Sequence, residues 1–380
     1  MKDLTYLDYC ATTPVNAEVI EAMVDSLANK FGNPSSMHQA GMDAKFLIDQ
    51  ARVNVAEAIN ASPEDIVFTS GATEADNLAL FGVMRQYAPG DAHLVTSSIE
   101  HHAVLYAAQQ LEAEGYDVTI LPVDSDGIVN PDLIERATKP HTKLVSIMSV
   151  NNEVGSQQNI EAIGKITASK NILFHTDAVQ SIGLFDIDIT SMNIDLLSLS
   201  AHKIYGPKGV GALYIREGVT LKTIIYGGPQ ESGVRPGTEN VPGIVGLGAA
   251  VRLVQNKKVQ ENQRLSSLRS WFINNLQEKM PGVIINGSGQ GSPHILSVSF
   301  PNAVAEMMQL HLHMHGIAVS LGSACTSKII EPSHVLLAMG LPLAQIEGTI
   351  RFSFGYPTTI EELEPVLDLL PDVWERSLNQ

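Results

Sequence analysis

Three residues stand where they could do chemistry: a lysine just past an apolar strand, an aspartate at the end of another, and a cysteine among small residues. The lysine, Lys203, lies in Ser200-Ala201-His202-Lys203-Ile204-Tyr205-Gly206-Pro207-Lys208-Gly209-Val210-Gly211, after the apolar run Ile194 to Leu199. In an open α/β sheet, ligands bind beyond the carboxyl ends of the strands. A lysine there can serve as a nucleophilic amine, as a phosphate ligand or as a plain surface charge. Asp177 closes the strand-like run Ile172-Leu173-Phe174-His175 and is an acid candidate, although an aspartate at a strand end is commonly a helix cap. Ser70-Gly71-Ala72-Thr73 joins a strand to a helix, and backbone N–H groups at a helix start can cradle phosphate.

Cys325 lies in Gly322-Ser323-Ala324-Cys325-Thr326-Ser327, a loop by composition. A thiolate there is a nucleophile once its proton is removed. The second cysteine, Cys10, reads as structural. Gly206 to Gly211 invites comparison with nucleotide loops, but it lacks the Gly-Lys-Ser/Thr ending, and a strand-like run follows it instead of a helix. His311, His313 and His315 are spaced by two, so on a helix they do not share one face, and a helix surface is the reading for them.

The elements that must position these residues alternate. Helices are expected from Asn16 (a cap for the run Val19, Ile20, Met23, Val24, Leu27) and over His38 to Asn60, with a strand at Asp65 to Thr69 leading to a helix ending near Tyr87. Strands at His93 to Thr96, Val118 to Leu121, Lys143 to Ser149, Ile172 to His175, Leu196 to Leu199 and Gly211 to Ile215 alternate with helices over His102 to Glu114 and Ile160 to Ser169. This predicts an α/β fold whose large domain is a mostly parallel sheet flanked by helices. A long helical connector, Val241 to about Met280, leads to a smaller α+β domain with strands at Val283 to Ile285, His294 to Phe300 and Thr349 to Phe354. The expected division is residues 13–260 for the large domain, with 1–12 and 261–380 forming the small domain that carries the cysteine loop.

Composition narrows the partners. A net charge of −17 argues against nucleic-acid or anionic-membrane binding, which need basic surface. No secretory signal core and no membrane-length apolar run is present, and two cysteines make no disulfide scaffold, so a reducing, cytoplasmic setting is expected. The acidic C-terminal stretch reads as a solvated helix face.

These motifs in this order resemble the cysteine desulfurases of the NifS/IscS type, within the class V, fold type I pyridoxal-phosphate enzymes. The resemblance runs nearly end to end: Tyr6-Leu7-Asp8-Tyr9, Gly32-Asn33-Pro34-Ser35-Ser36, Thr69 to Glu74, Glu100-His101, Asn151-Asn152-Glu153, Asp177-Ala178-Val179-Gln180, Ser200 to Lys203, Arg235 to Asn240, Gly322 to Ser327 and Arg351-Phe352-Ser353. It implies a pyridoxal 5'-phosphate cofactor bound as a Schiff base to Lys203, which also moves the substrate Cα proton. It implies Asp177 against the pyridine nitrogen, Gln180 at the ring hydroxyl and His101 stacked on the ring. The phosphate falls to Ala72, Thr73, Ser200 and His202, with Thr238 entering from the partner subunit of a homodimer. Asn152 and Arg351 take the substrate carboxylate. The implied reaction converts L-cysteine to L-alanine with sulfur passing to Cys325 as a persulfide, then to an acceptor such as an iron–sulfur scaffold protein. The alternatives are a selenocysteine lyase or another class V lyase or aminotransferase and, outside enzymes, a sulfur-relay binding component.

Overall fold

Short apolar runs bounded by glycine, serine and aspartate form strands buried on both faces, as a helix-covered parallel sheet requires. The computed structural model describes residues 4–289, 291–321 and 332–378. In chain order its first half holds β1 (Thr5–Tyr6), α1 (Ala17–Asn29), α2 (Gln39–Ala58), β2 (Ile66–Thr69), α3 (Ala72–Met84), β3 (His93–Ser97), α4 (His102–Ala113), β4 (Asp117–Leu121), α5 (Pro131–Ala137), β5 (Thr142–Ser146), α6 (Ile160–Ser169), β6 (Leu173–Asp177), β7 (Leu196–Ser200) and β8 (Gly211–Ile215). The helix α7 (Val241–Lys279) follows, then β9 (Ile284–Asn286), β10 (Ile295–Ser299), α8 (Ala305–Met314), β11 (Ile317–Ala318), β12 (Ser320–Leu321), α9 (His334–Ala338), α10 (Leu343–Ile346), β13 (Thr349–Ser353) and α11 (Ile360–Arg376).

The main sheet runs β2-β8-β7-β6-β5-β3-β4, with β8 antiparallel to both its neighbours and every other pairing parallel. The strands β2, β3, β5, β6 and β7 therefore end at one edge, and the segments that follow them meet there. One face packs against α1, α2, α6 and the first half of α7, through residues such as Val55, Phe174, Leu197 and Leu247. The other packs against α3 and α4 through Leu78, Leu94, Leu111 and Leu213. This is the predicted α/β architecture.

A second sheet, β12-β13-β10-β9, is antiparallel throughout and has its own core of Phe272, Phe300, Phe352, Leu363 and Leu370. The single helix α7 spans both bodies: its residues 241–254 enter the first core, and Leu265, Leu268, Phe272 and Leu276 enter the second. None of the described helices is long and apolar enough to cross a membrane.

Three expectations change and one, the acidic last helix, holds. The strand predicted over Lys143 to Ser149 stops at Ser146. Beyond it the chain still follows β6, with Ile147 N–H donating to His175 O at 3.1 Å and Ser149 N–H to Asp177 O at 2.9 Å, but it bends to open the site. The helix α5, which starts with proline at its first turn, adds an element that its mixed sequence does not announce. Asn16 caps α1 as expected, yet only Val19 of the apolar stripe is buried, and Ile20, Val24 and Leu27 face outward. The acidic residues 361, 362, 364, 368, 372 and 375 of the final segment are exposed, a solvated face.

Candidate active site

The strand ends and the N-terminal segment enclose a cavity of about 610 Å³. Ala72, Thr73, His101, Asn152, Asp177, Gln180, Ser200, His202, Lys203 and Arg351 all line it, gathering ten of the twelve anticipated residues. Thr238 is exposed and does not line this cavity in its own chain. Cys325 lies outside the described residues, with the rest of the 322–331 segment.

Lys203 ends a single 3₁₀ turn, Ala201–Lys203, that begins where β7 stops. Its Nζ donates to Ala11 O at 2.9 Å and to Cys10 O. Burial pushes the ammonium down to about 8, so the free amine needed for nucleophilic attack is within reach near neutrality. The turn is tied to the N-terminal segment: Thr13 N–H donates to His202 O at 2.9 Å, and Thr13 Oγ1 accepts from Tyr205 N–H at 2.7 Å.

Asp177 ends β6 and accepts from Val179 N–H at 2.9 Å. Burial raises its carboxyl to about 6, against the pull of that N–H and of the Lys203 charge. Gln180 is held on both sides, its Oε1 at 3.0 Å from His294 Nε2 and its Nε2 donating to Cys10 O at 3.3 Å. His101 caps α4 by accepting from Ala103 N–H through Nδ1 at 3.1 Å, and burial with Lys203 nearby lowers its pKa to about 4. A neutral ring accepting through Nδ1 carries its proton on Nε2.

Donors of the kind that suit a phosphate converge where β2 meets α3. The first N–H groups of a helix have no intrahelical partner. Gly71 leaves the space beside them open: a Cβ there would find only Ser200 Oγ, at 4.0 Å. Ser200 and His202 face the same corner. Glu74, in the first turn of α3, accepts from Ser70 N–H at 2.7 Å and pairs with Arg235 at 2.8 Å, so its charge is already met.

Arg351 comes from β13 of the second sheet. It is 6% exposed, donates to Asn152 O and to Asp8 Oδ1, both at 2.9 Å, and keeps a buried Nε with no partner. Burial works against its charge, but Asp8 and Glu153 outweigh that and hold it firmly cationic. A buried, oriented guanidinium with spare donor capacity suits a carboxylate ligand. The donor set as a whole fits a phosphorylated pyridine aldehyde: an amine for the aldehyde, a carboxyl for the ring nitrogen, an amide for the ring hydroxyl and a helix start for the phosphate.

Some residues of the site escaped prediction. Asp8, Cys10 and Ala11 reach it across the whole chain, Asp8 and Arg351 being 343 positions apart. Cys10 is buried as its structural reading has it, yet it also lines the cavity, and burial raises its thiol. Glu100, adjacent to His101, accepts from Ser97 Oγ at 2.6 Å and Met148 N–H at 3.0 Å; burial raises it to about 8. Only the end-to-end motif match carried a signal for the N-terminal residues.

The class-V aminotransferase family model matches residues 5–366. A cysteine desulfurase IscS of Dictyoglomus turgidum is 45% identical over 377 residues, covering 99% of this chain and 96% of that protein. Among solved structures, a NifS-like protein is 38% identical with a TM-score of 0.91, covering 98% of this chain and 99% of that one. A structure described as SspA in complex with cysteine is 39% identical with a TM-score of 0.82, over 92% of this chain and 98% of that one. In this protein the half-buried lysine just past β7, the aspartate at the end of β6 and these likenesses agree: the chain belongs to the class-V aminotransferase family and, within it, to the cysteine desulfurases of the NifS/IscS type.

Proposed function

We propose that this protein is a pyridoxal-phosphate-dependent L-cysteine desulfurase that passes sulfur to Cys325. The observation that carries the reading is the placing of Lys203 and Asp177 in one cavity with the buried guanidinium of Arg351. When bound, the cofactor supplies an electron sink conjugated to the substrate Cα. Asp177 stands for its ring nitrogen, Gln180 for the ring hydroxyl, His101 for the ring face, and Ala72, Thr73, Ser200 and His202 for the phosphate. Arg351 and Asn152 hold the cysteine carboxylate, which fixes the Cα–H bond near Lys203. The amine of Lys203, its pKa brought down to about 8, takes the Cα proton at Nζ.

Sulfur transfer is written so that it balances. The thiolate of Cys325 attacks the substrate sulfur. The new S–S bond forms as the substrate Cβ–S bond breaks, and that bonding pair stays with carbon. The carbon takes up a proton and becomes the methyl group of alanine; no external oxidant or reductant enters. The resulting persulfide then goes to an acceptor protein, for which an iron–sulfur scaffold is our assignment.

The reading extends to a cytoplasmic homodimer, built from a large domain of residues 13–260 and a small domain of residues 1–12 and 261–380. Support for the dimer comes from the open apolar face of α1 and its neighbourhood, where Phe31 is 81% exposed, and from Thr238, exposed away from its own cavity.

Mass spectrometry after mixing with L-cysteine tests the mechanism. We expect a mass gain of one sulfur on Cys325 and alanine in solution. Cys325→Ala should cut alanine formation by roughly 100-fold or more, in the range of losing a covalent nucleophile. Alanine and sulfide released by that variant at the wild-type rate would sink the persulfide step.

A further inference from the structure

Behind Asp177, away from the cavity, lies a second carboxyl that the chemistry above does not use. Asp76 is on the first turns of α3 and is completely buried, and neither of its carboxyl oxygens has a hydrogen-bond partner. His175, two residues before Asp177 on β6, has its Nε2 3.6 Å from Asp76 Oδ1, and the Ser198 hydroxyl bears on the same carboxyl. His175 is itself buried and set between two hydroxyls, with Ser146 Oγ at 2.8 Å from Nδ1 and Ser198 Oγ at 3.0 Å from Nε2. Because successive side chains of a strand alternate faces, His175 and Asp177 share the face of β6 that meets α3.

A carboxylate in such a place is costly, because only the Ser198 hydroxyl acts in its favour and no opposite charge compensates its lost hydration. The other titratable groups that bear on it offer no relief. Asp177 and Glu100 are both acidic, and the cation of Lys203 lies toward the cavity beyond Asp177. Burial first, and then the charge of Asp177, push the Asp76 carboxyl well above the usual carboxylate range. His175 is pushed the other way by burial, down to about 3. Both groups are therefore neutral, with the proton of the pair on the Asp76 carboxyl beside an uncharged His175.

We propose that Asp76 is a positioning residue for Asp177: beside an uncharged His175 it keeps its proton behind the cavity floor, so that Asp177 alone takes the negative charge that faces the cofactor ring nitrogen. Two adjoining carboxylates cannot both ionise cheaply. If Asp76 gave up its proton, Asp177 would be driven to keep one and would no longer favour a protonated ring nitrogen. The proposal rests on the pyridoxal-phosphate reading for its consequence, but the protonation of Asp76 is a property of this chain alone.

The test compares the full-length wild type with Asp76→Asn and Asp76→Leu. The wild-type minus Asp76→Asn infrared difference spectrum of the cofactor-free proteins at neutral pH should show a protonated carboxylic acid band, the bands of Glu100 and Glu153 being common to both. Pyridoxal phosphate is then titrated into each, and its bound absorbance is followed against pH. Asp76→Leu should bind at least about tenfold more weakly, and Asp76→Asn, neutral and polar like the native acid, should restore binding to within about twofold with the wild-type absorbance midpoint. Absence of the acid band overturns the proposal, and so does a midpoint in Asp76→Asn displaced by about one pH unit, since that is the mark of a lost negative charge. Equal binding by Asp76→Leu and wild type reduces Asp76 to a space filler. Should Asp76→Leu fail to fold, the infrared band and the Asp76→Asn midpoint still decide. Failure of wild type to take up pyridoxal phosphate would overturn the functional reading, while the infrared arm would still judge Asp76.

Discussion

At the scale of single residues, the site works by holding side chains in protonation states that water would not favour. Lys203 is brought toward the neutral amine and His101 is kept neutral, both first through burial. Arg351 stays charged because Asp8 answers one of its nitrogens while Nε is left over for a ligand. Arg351→Lys keeps the charge but loses the planar fork, so a substrate carboxylate loses a bond and a buried acceptor loses its donor. We expect the KM for cysteine to rise by roughly tenfold or more, a cost of about 1.5–3 kcal/mol, with a smaller effect on kcat. Steady-state alanine assays at several cysteine concentrations separate the two; a fall in kcat alone would remove Arg351 from substrate binding.

At the scale of elements, the cavity depends on how closely β8 approaches the start of α3. A Cβ on Gly211 would lie 2.5 Å from Leu199 O and 2.8 Å from Gly71 Cα, so no side chain fits there without moving the backbone that frames the cavity at the start of α3. Gly211→Ala should destabilise the protein by about 1–3 kcal/mol and weaken cofactor retention together. Gly289→Ala is the control, since a Cβ there meets nothing within 4 Å and should change stability by less than about 0.5 kcal/mol. Denaturant melts of the two variants check the contrast; equal midpoints would mean that the β8–α3 contact yields easily. The glycine of an apparent nucleotide loop thus serves a tight approach of strand to helix.

At the scale of the whole molecule, buried titratable groups shape how stability depends on pH. Burial first raises Glu153 to about 7 and Glu100 to about 8. A folded-state pKa above the unfolded value of about 4 means that the folded protein binds more protons between those limits, so these groups lower stability as pH rises toward 8. Buried His93, His175 and His294, lowered to about 4, 3 and 3, act in the opposite sense: the unfolded chain binds more protons below about 6.5, and stability falls as pH drops through that range. The cofactor-free protein should therefore lose stability from about pH 6.5 to 8, and Glu100→Gln should flatten that decline by up to roughly 1.4 kcal/mol per pH unit. Urea melts across this range provide the check; an unchanged slope in Glu100→Gln would show that Glu100 is already ionised. The same scale includes assembly. Val24→Asp combined with Leu27→Asp places charge on the open face of α1 and should convert the proposed dimer to monomer in sedimentation, with loss of activity if Thr238 acts across the interface.

The sequence by itself determined the alternation of strands and helices, the parallel sheet that follows from it, and the places of Lys203, Asp177 and the start of α3 at the strand ends. These are local matters: apolar runs of strand length, breakers at their ends and helix starts lie within a few residues of one another. Tertiary structure decided which distant groups complete the site. The carbonyls of Cys10 and Ala11 meet Lys203, Asp8 meets Arg351 and His294 meets Gln180, each across more than 100 residues. It also decided that Ile20, Val24 and Leu27 of α1 face outward and that Asp76 lies buried behind Asp177. Periodicity reports that a face is apolar but not what covers it, and no pattern along the chain carries the dielectric surroundings that set a pKa, because both depend on groups brought together only by folding.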